Sequence, residues 1–541
     1  MNVLGIDPVL MHALRRDLCS ASFDVDSVNA QLGEQASSAL LRNERTPALK
    51  VARENKSILS VLTRLFVLWD VVDSEDVAGA LSEFGLDGLQ LLGLAEVLEG
   101  GAVRALVQLQ PHEAEINGVV HKWWIASDLG EGLTGRAPAR DHVLGIGGAT
   151  RTLLEMTPRD RVGSVLDLGT GCGILAMYAA THADRVVATD LSERAYAFAR
   201  FNFALNEIDI DLRLGSLYEP VTGEQFDLIV SNPPFVITPN SLREGGVVEY
   251  RDAGRTGDEL VREVVTGARA HLVEGGRALM LGNWEIENAA GETRDPDLDA
   301  EQDSTGVEAL ESDEGGSEAA DWASHPRTWV EEAGLHAWVV QREQLDPTQY
   351  IEMWMRDNGA RLEMTPEEYE HAYSLWLEDF EQRNVCGIGL GVLALQRPRE
   401  LMSGVPVTVF EEVVTTTTAP GKYVGRTMTE IFENPGISDP AITNDAVFER
   451  AEDVREERHF EPGQVDPQVI IATQGDGFGR RIQLNTSMSA VLGASDGELT
   501  VGQIVSALHI LTEEEHDVIS DRVYDQIAHL VRAGMLNRKL V

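Results

Sequence analysis

Two clusters in this 541-residue chain combine residue types able to bind and activate small groups. The first is Val165-Leu166-Asp167-Leu168-Gly169-Thr170-Gly171-Cys172-Gly173-Ile174-Leu175, with Asp190 following about twenty residues on. Val165 to Leu168 reads as a buried strand, the three glycines allow a tight turn against a ligand, and Ile174 to Ala180 reads as the next helix. Dinucleotide sites use a similar turn to seat a pyrophosphate on a helix N-terminus. Here the spacing is Gly169-x-Gly171-x-Gly173, the third dinucleotide glycine is missing and Asp167 precedes the turn. That pattern suits a ligand with no pyrophosphate. Asp190 ends a second apolar strand, Arg185 to Thr189, where a carboxylate accepts both hydroxyls of a ribose. Together these residues point to an adenosyl ligand.

The second cluster is Asn232-Pro233-Pro234-Phe235, delivered by the apolar run Phe226-Asp227-Leu228-Ile229-Val230-Ser231. Consecutive prolines fix the backbone and remove two donors, which leaves nearby carbonyls available as acceptors. The Asn232 amide oxygen and the Pro233 carbonyl can then accept both N–H bonds of a planar amino or amide group, with Phe235 offering a face for stacking. A nitrogen held this way and attacking a sulfonium methyl in line gains positive charge, so the step calls for acceptors rather than a strong base.

The elements that must position these clusters follow from periodicity. From Val165, strands and helices alternate over 165–168, 174–181, 185–190, 192–205, 210–214, 226–231, 258–272 and 277–284, which predicts an α/β domain with a largely parallel sheet. The glycine turn, Asp190 and Asn232 all fall at strand carboxyl ends, where ligands of such sheets bind near the switch point. Strands at Ala337–Val340 and Cys386–Leu395, around helices near Tyr350–Asp357 and Glu367–Gln382, predict an antiparallel edge pairing. Upstream, Asp141 to Thr150 is a second glycine-rich stretch, read either as a lid over the ligand or as a plain connecting loop.

The segment from about Asp141 to Leu395 resembles a class I S-adenosylmethionine-dependent methyltransferase of the "small domain" type. Val165 to Gly173 resembles its first cofactor motif, Asp190 its ribose-binding acid, and Asn232 to Phe235 its Asn-Pro-Pro-aromatic motif. Phe226–Phe235 and Glu249-Tyr250-Arg251-Asp252-Ala253-Gly254-Arg255-Thr256-Gly257 are similar to HemK-type release-factor glutamine methyltransferases, while N6-adenine and rRNA guanine enzymes share the catalytic motif. The resemblance implies a Rossmann-like sheet, S-adenosylmethionine as cofactor, and Asn232, Pro233, Pro234 and Phe235 as the catalytic segment. It also implies Asp167, Gly169, Thr170, Gly171 and Gly173 around the methionine end, Asp190 on the ribose and Leu191 against the adenine. The chain departs from the HemK pattern twice. Gly215-Ser216-Leu217 stand where an acid is usual, which leaves the adenine to Ser216, Leu217 or backbone, and Leu144 to Thr150 replace a Pro-Arg-Pro-Glu-Thr segment.

What the resemblance implies is an N-methyltransferase acting on a planar nitrogen of a macromolecule. Flanking helix-turn-helix-like modules favour an unstacked nucleobase of RNA or DNA. The acidity and the HemK-like core favour a glutamine in a protein partner such as a translation factor. A cofactor-binding assembly protein without turnover is the reading from another class.

Composition bounds these readings. The formal net charge is -45, from 89 acidic and 44 basic residues, which opposes nonspecific attachment to nucleic acid or anionic membrane. Met1 to Asp7 lacks a basic run followed by an apolar core, and no apolar stretch approaches the ~18 residues of a membrane span. Cys19, Cys172 and Cys386 are far apart and the histidines are scattered, so neither a disulfide framework nor a metal site is expected, and a cytoplasmic location is.

Three domains are expected: 1–130, 131–398 and 399–541. In the first, Ile58, Leu62, Leu65, Phe66 and Trp69 recur at helical spacing, Ser74-Glu75-Asp76 offers an N-cap, Leu86–Leu98 reads as a helix and Val103–Leu109 as a strand, resembling a winged helix. Its Leu86–Leu92 stretch lacks the Arg or Lys of a base-reading helix, and His121-Lys122-Trp123-Trp124-Ile125 reads as packing. The second holds an acidic, disordered insertion at 285–321. The third contains Gly475-Asp476-Gly477-Phe478-Gly479, read as a hairpin turn, and helices at Val501–Leu511, Glu513–Ser520 and Val523–Arg532. A Thr512-x-x-Glu515 capping box and a Gly534 stop complete a second winged-helix-like α+β module.

Overall fold

The computed structural model describes residues 4–136, 138–139, 141–239, 242, 255–288, 320–357, 364–399, 405–413, 415, 417–433, 442–475, 477–512 and 514–539. The chain opens with α1 (Pro8–Ser20), α2 (Val25–Leu32), α3 (Glu34–Leu40), α4 (Thr46–Glu54) and α5 (Ile58–Leu62), the last running on through a π turn to Val67. Then come β1 (Val72–Asp73), α6 (Ser74–Ala80), α7 (Gly85–Leu91), β2 (Ala95–Val97) and β3 (Ala102–Ala105). The three strands form an antiparallel sheet in the order β1-β3-β2. Helix starts follow the sequence: Asp7 accepts the Val9 and Leu10 N–H groups ahead of Pro8, and Pro47 sits in the first turn of α4. At α6 the cap is Asp73, which accepts the Glu75 N–H, rather than Ser74. The helix expected over Leu86–Leu98 ends at Leu91, because Ala95–Val97 is drawn into ladder pairing with β3.

A long hairpin follows, β4 (Gln108–Ile116) and β5 (Val119–Ser127), paired antiparallel over its whole length. Its aromatic residues pack as expected. Trp123 is buried with its ring 5.2 Å from Tyr178 and 6.2 Å from His112, and Trp124 Nε1 donates to the Phe23 carbonyl at 2.7 Å.

After α8 (Glu131–Thr134) and α9 (Gly148–Met156) the chain alternates β6 (Val162–Leu168), α10 (Ile174–Ala179), β7 (Ala183–Asp190), α11 (Glu193–Leu205), β8 (Asp211–Leu214) and β9 (Phe226–Ser231). It continues through α12 (Glu259–His271), β10 (Leu272–Glu287), α13 (Ser324–Ala333), β11 (His336–Leu345), α14 (Pro347–Asp357), α15 (Pro366–Gln382), β12 (Val385–Gln396) and β13 (Thr408–Glu412). One sheet takes β6 to β13 in the order β13-β11-β12-β10-β9-β6-β7-β8, and the pairs β8–β7, β7–β6, β6–β9 and β9–β10 are parallel. The winding reverses between β6 and β9, so the carboxyl ends of these two strands flank the switch point. This is the Rossmann-like class I arrangement expected.

Two expectations for this sheet are corrected. The late strand β12 lies inside the sheet, between β11 and β10, and the edge is β13, which pairs parallel with β11. The acidic stretch does not begin at residue 285: β10 runs on to Glu287, with Ile286 buried and the Glu285 carboxylate buried and paired with Arg383. Residues 289–319 of that stretch, and Glu249–Gly254 of the HemK-like segment, lie outside the described residues.

Contacts divide the chain into two compact units, Met1–Arg151, Arg159–Glu285 and Leu345–Ile388 in one, Thr152–Pro158, Ile286–Gln344 and Gly389–Val541 in the other. Within the second, β16 (Val469–Gln474) pairs antiparallel with β15 (Val454–His459) and with β17 (Arg481–Leu484), and the glycine-rich turn joins β16 to β17 as a hairpin. A further sheet, in the order β18-β14-β19, comprises β14 (Val447–Arg450), β18 (Asp496–Thr500) and β19 (Leu536–Arg538). Besides α16 (Gly421–Glu433) and α17 (Thr486–Ala494), this region carries α18 (Val501–Thr512) and α19 (His516–Arg532). The two last helices expected are therefore one, and the capping box is not formed. Thr512 ends α18, and Glu515 precedes α19 without a side-chain cap. Gly534, at φ 71, follows the end of α19 as expected.

Candidate active site

A cleft of about 1550 Å³ opens at the carboxyl ends of β6, β7, β8 and β9. Gly169, Thr170, Gly171, Asp190, Leu191, Ser216, Leu217 and all of Asn232, Pro233, Pro234 and Phe235 line it. The structure thus brings together residues that the sequence spreads over nearly seventy positions. Asp167 and Gly173 are the predicted site residues that do not line it.

The turn after β6 is held by its own backbone and by two carboxylates. Gly169 and Thr170 N–H both donate to the Thr189 carbonyl at 2.9 Å. Gly169 and Gly171 have φ of 78 and 57, and a Cβ on either would meet no atom within 4 Å, so the backbone there forms a bare cradle. Gly173 answers to packing instead: a Cβ would lie 2.5 Å from the Phe203 ring.

Asp167 is fully buried beneath the turn. Its Oδ2 accepts the Thr170 hydroxyl at 2.5 Å and the Ala176 N–H at 2.9 Å, tying the turn to the start of α10. Burial pushes its carboxyl up to about 7, and Oδ1 has no hydrogen-bond partner among the described residues. Its part is therefore to brace the turn from behind rather than to surround a ligand. Cys172, between the last two glycines, is buried with its thiol pushed up to about 11 by that burial, so it is no nucleophile at neutral pH.

Asp190 ends β7. Its Oδ2 accepts the Gly171 N–H and its Oδ1 the Ser192 N–H, both at 2.9 Å, and burial raises its carboxyl above the ordinary range. Each oxygen keeps a further lone pair for a ligand. Leu191, 55% exposed, and Leu217 present apolar surface on the same wall. The bare cradle, the anchored carboxylate and the apolar wall fit an adenosyl group.

The acceptor side is built from β9 outward. Ser231 Oγ donates to the Leu168 carbonyl at 2.8 Å and fixes the strand end against β6. Asn232 Nδ2 donates to Thr150 Oγ1 at 3.2 Å, which turns the amide so that Oδ1, buried, is left without a partner among the described residues. A buried amide oxygen without a donor is costly, roughly 1–3 kcal/mol, and is expected where a ligand supplies the missing N–H. Farther along, the Ile237 N–H donates to the Tyr350 hydroxyl at 3.0 Å, and Asn283 Nδ2 donates to the same oxygen at 3.0 Å. Tyr350 lies on α14, whose Trp354 and Arg356 line the cleft.

Sequence reasoning gave no role to Thr150, Tyr350 or Asn283, since hydroxyls and amides at single positions carry no local motif. The Asp141–Thr150 stretch forms part of the cleft wall and is fastened: Asp128 Oδ2 accepts the Val143 N–H at 2.8 Å and Arg194 Nε at 2.9 Å. Among the described residues no group of three or more His, Cys, Asp or Glu is placed to hold a metal ion, and no helix is long and apolar enough to cross a membrane.

Residues 145–290 match the family described as methyltransferase small domain, and residues 20–106 match a domain of unknown function. A release factor glutamine methyltransferase of Deinococcus radiodurans is 40% identical over 134 residues, covering 24% of this chain and 48% of that protein. Ribosomal RNA small subunit methyltransferase C of Enterobacter sp. (strain 638) is 32% identical over 138 residues, covering 25% of this chain and 35% of that protein. A solved structure, the T. thermophilus 16S rRNA N2 G1207 methyltransferase in complex with AdoMet and guanosine, is 21% identical with a TM-score of 0.24, over 39% of this chain and 55% of that one. The chain spans about half or less of the length of the curated relatives it matches.

Proposed function

We propose that this chain is an S-adenosylmethionine-dependent N-methyltransferase acting on a planar amino or amide nitrogen of a macromolecule. The observation that carries the reading is the Asn232 amide, aimed by Thr150 with its buried oxygen unpartnered beside a glycine cradle. When bound, the cofactor supplies an electrophilic methyl on sulfur. Gly169 and Gly171 cradle it, Asp190 accepts from its ribose hydroxyls, and Leu191, Ser216 and Leu217 take the adenine. Asn232 Oδ1 and the Pro233 carbonyl accept the two N–H bonds of the target nitrogen, fixing its plane and stabilising the positive charge that develops on it. Phe235 stacks on the target group. Once methylated, the cationic nitrogen would be strongly acidic and would pass its proton to solvent water, so no dedicated base is required.

Of the two substrate classes, a nucleobase is favoured by the lining of the cleft. Four arginines, Arg194, Arg200, Arg255 and Arg356, stand beside four acids, Glu131, Asp141, Asp190 and Glu193, in a chain whose acids outnumber its bases 89 to 44. The lining is thus balanced in charge where the chain as a whole is strongly acidic, even with Arg194 paired to Asp128 and Arg255 to Glu263, so it opposes a phosphodiester less than the rest of the surface does. A protein glutamine is the second reading, favoured by the 40% identity to a release factor glutamine methyltransferase. Transfer of labelled methyl from S-adenosylmethionine into fractionated RNA, DNA and protein separates them. Label is expected in a nucleic-acid fraction, label in protein alone selects the glutamine reading, and cofactor binding with no label in any fraction overturns both in favour of a non-catalytic binding protein.

A further inference from the structure

Asn202 is a polar residue with no exposure at all, on a helix that otherwise buries Phe198, Phe201 and Phe203. Its amide is fully used. Oδ1 accepts the Ala126 N–H at 2.8 Å, and Nδ2 donates to the Ala126 carbonyl at 2.9 Å and to the Cys172 carbonyl at 2.8 Å. One helical turn on, Asn206 Oδ1 accepts the Trp124 N–H at 2.9 Å, and Nδ2 donates to the carbonyls of Trp124 and Asn202 at 2.9 and 2.8 Å.

The two asparagines together serve β5 as a substitute strand. Four residues of helix rise about 6 Å and two residues of strand about 6.6 Å, so the amides of Asn202 in α11 and Asn206 at its C-cap, four residues apart, meet alternate residues of β5. The opposite edge of β5 is paired with β4, and buried backbone groups on this edge need partners. The resulting zipper fastens the hairpin to α11.

The two amides differ in one respect. Asn202 alone also reaches the glycine turn, and does so at the carbonyl of Cys172, between Gly171 and Gly173, two peptide planes beyond the Gly171 N–H that Asp190 accepts. We infer that Asn202 is a positioning residue for the cofactor turn: by holding the Cys172 carbonyl against the β5 edge, it makes cofactor affinity depend on the docking of the β4–β5 hairpin. This rests on the reading that the cleft takes S-adenosylmethionine.

Asn206→Ala is the matched control, because it removes the same kind of bond from the same strand without touching the turn. Calorimetric titration of the full chain with S-adenosylmethionine is paired with ligand-free unfolding temperature and with amide exchange across 169–173. Both Asn202→Ala and Asn206→Ala are expected to lower the unfolding temperature. Asn202→Ala alone weakens binding tenfold or more and speeds exchange in the turn, while Asn206→Ala binds within twofold of wild type. Asn202→Asp, which keeps the acceptor to Ala126 but loses the amide donors, is expected to follow Asn202→Ala and serves if the alanine variant does not fold. Wild-type affinity in the Asn202 variants, or equal loss in Asn206→Ala, overturns the assignment. A wild-type protein that binds no S-adenosylmethionine overturns the reading of the cleft and the assignment with it.

Discussion

The two halves of the cleft are held by different means. The cofactor turn is tied from nearer in the chain: Asp167 to Thr170 and Ala176, and Asp190 to Gly171, span three, nine and nineteen residues, and the Asn202 tie to Cys172 spans thirty. The acceptor segment after β9 has no ladder of its own; it leaves a strand end that Ser231 fastens 63 residues away at Leu168, and its own ties reach 82 residues to Thr150 and 113 to Tyr350. One half is written where it stands. The other is completed by side chains from distant elements, so the position of the acceptor amide can be altered without disturbing the cradle.

That contrast is sharpest at Asn232. Asn232→Ala is expected to reduce methyl transfer by about 10²–10³-fold, the cost of losing a preorganised partner of the developing charge, with S-adenosylmethionine affinity unchanged. Retained turnover would sink its catalytic role. Asp190→Ala is the reciprocal variant: two charge-assisted contacts at roughly 1.5 kcal/mol or more each should weaken cofactor binding by about 10²-fold, and unchanged calorimetric affinity refutes the ribose assignment.

Tyr350→Phe tests whether the distant tie acts only on the acceptor half. It leaves the Ile237 N–H and the Asn283 amide buried without a shared acceptor, for a loss of about 1–3 kcal/mol in stability. Transfer should fall roughly tenfold with cofactor affinity intact, since about 1.4 kcal/mol of misplacement is a factor of ten. Equal loss of cofactor affinity would show that the two halves are not separable.

The smallest effect concerns Asp167. Burial raises its carboxyl to about 7, above the value of 3.8 that it has when exposed. The protonated form is favoured by the folded state, so its contribution to stability is present in full below about 3.8 and is lost as the pH rises through about 7. Asp167→Asn should therefore lie nearest wild type in unfolding temperature at pH 5 and gain on it by pH 8. A constant gap across that range would contradict the assignment.

The same contrast explains how much was legible in the sequence. Val165–Gly173 and Asp190 could be placed because strand, turn and carboxylate are successive residues with fixed local geometry, and Phe226–Ser231 was found to the residue. Asn232 was found through its proline neighbours, but Thr150 and Tyr350 were not, since nothing near them in sequence announces a partner 82 or 113 residues away. Asp167 was assigned to the ligand, whereas its complete burial places it behind the turn. The polar pair Asn202 and Asn206, one helical turn apart in an apolar helix, was a usable signal that went unread. The misjudged helix at Leu86–Leu98 has the ordinary cause that pairing with β3 overrides local preference.

The hydroxyl of Tyr350 also sets a schedule for biosynthesis. β6, α10, β7 and α11 lie close together in the chain and assemble from low-separation contacts, so the cradle can form once that stretch has emerged. The acceptor segment waits for α14, which at 5–20 residues per second is made roughly 10–30 s later. Nascent chains arrested shortly before Pro347 should therefore retain S-adenosylmethionine yet transfer nothing, a cofactor-loaded intermediate that acquires its activity only once α14 has emerged.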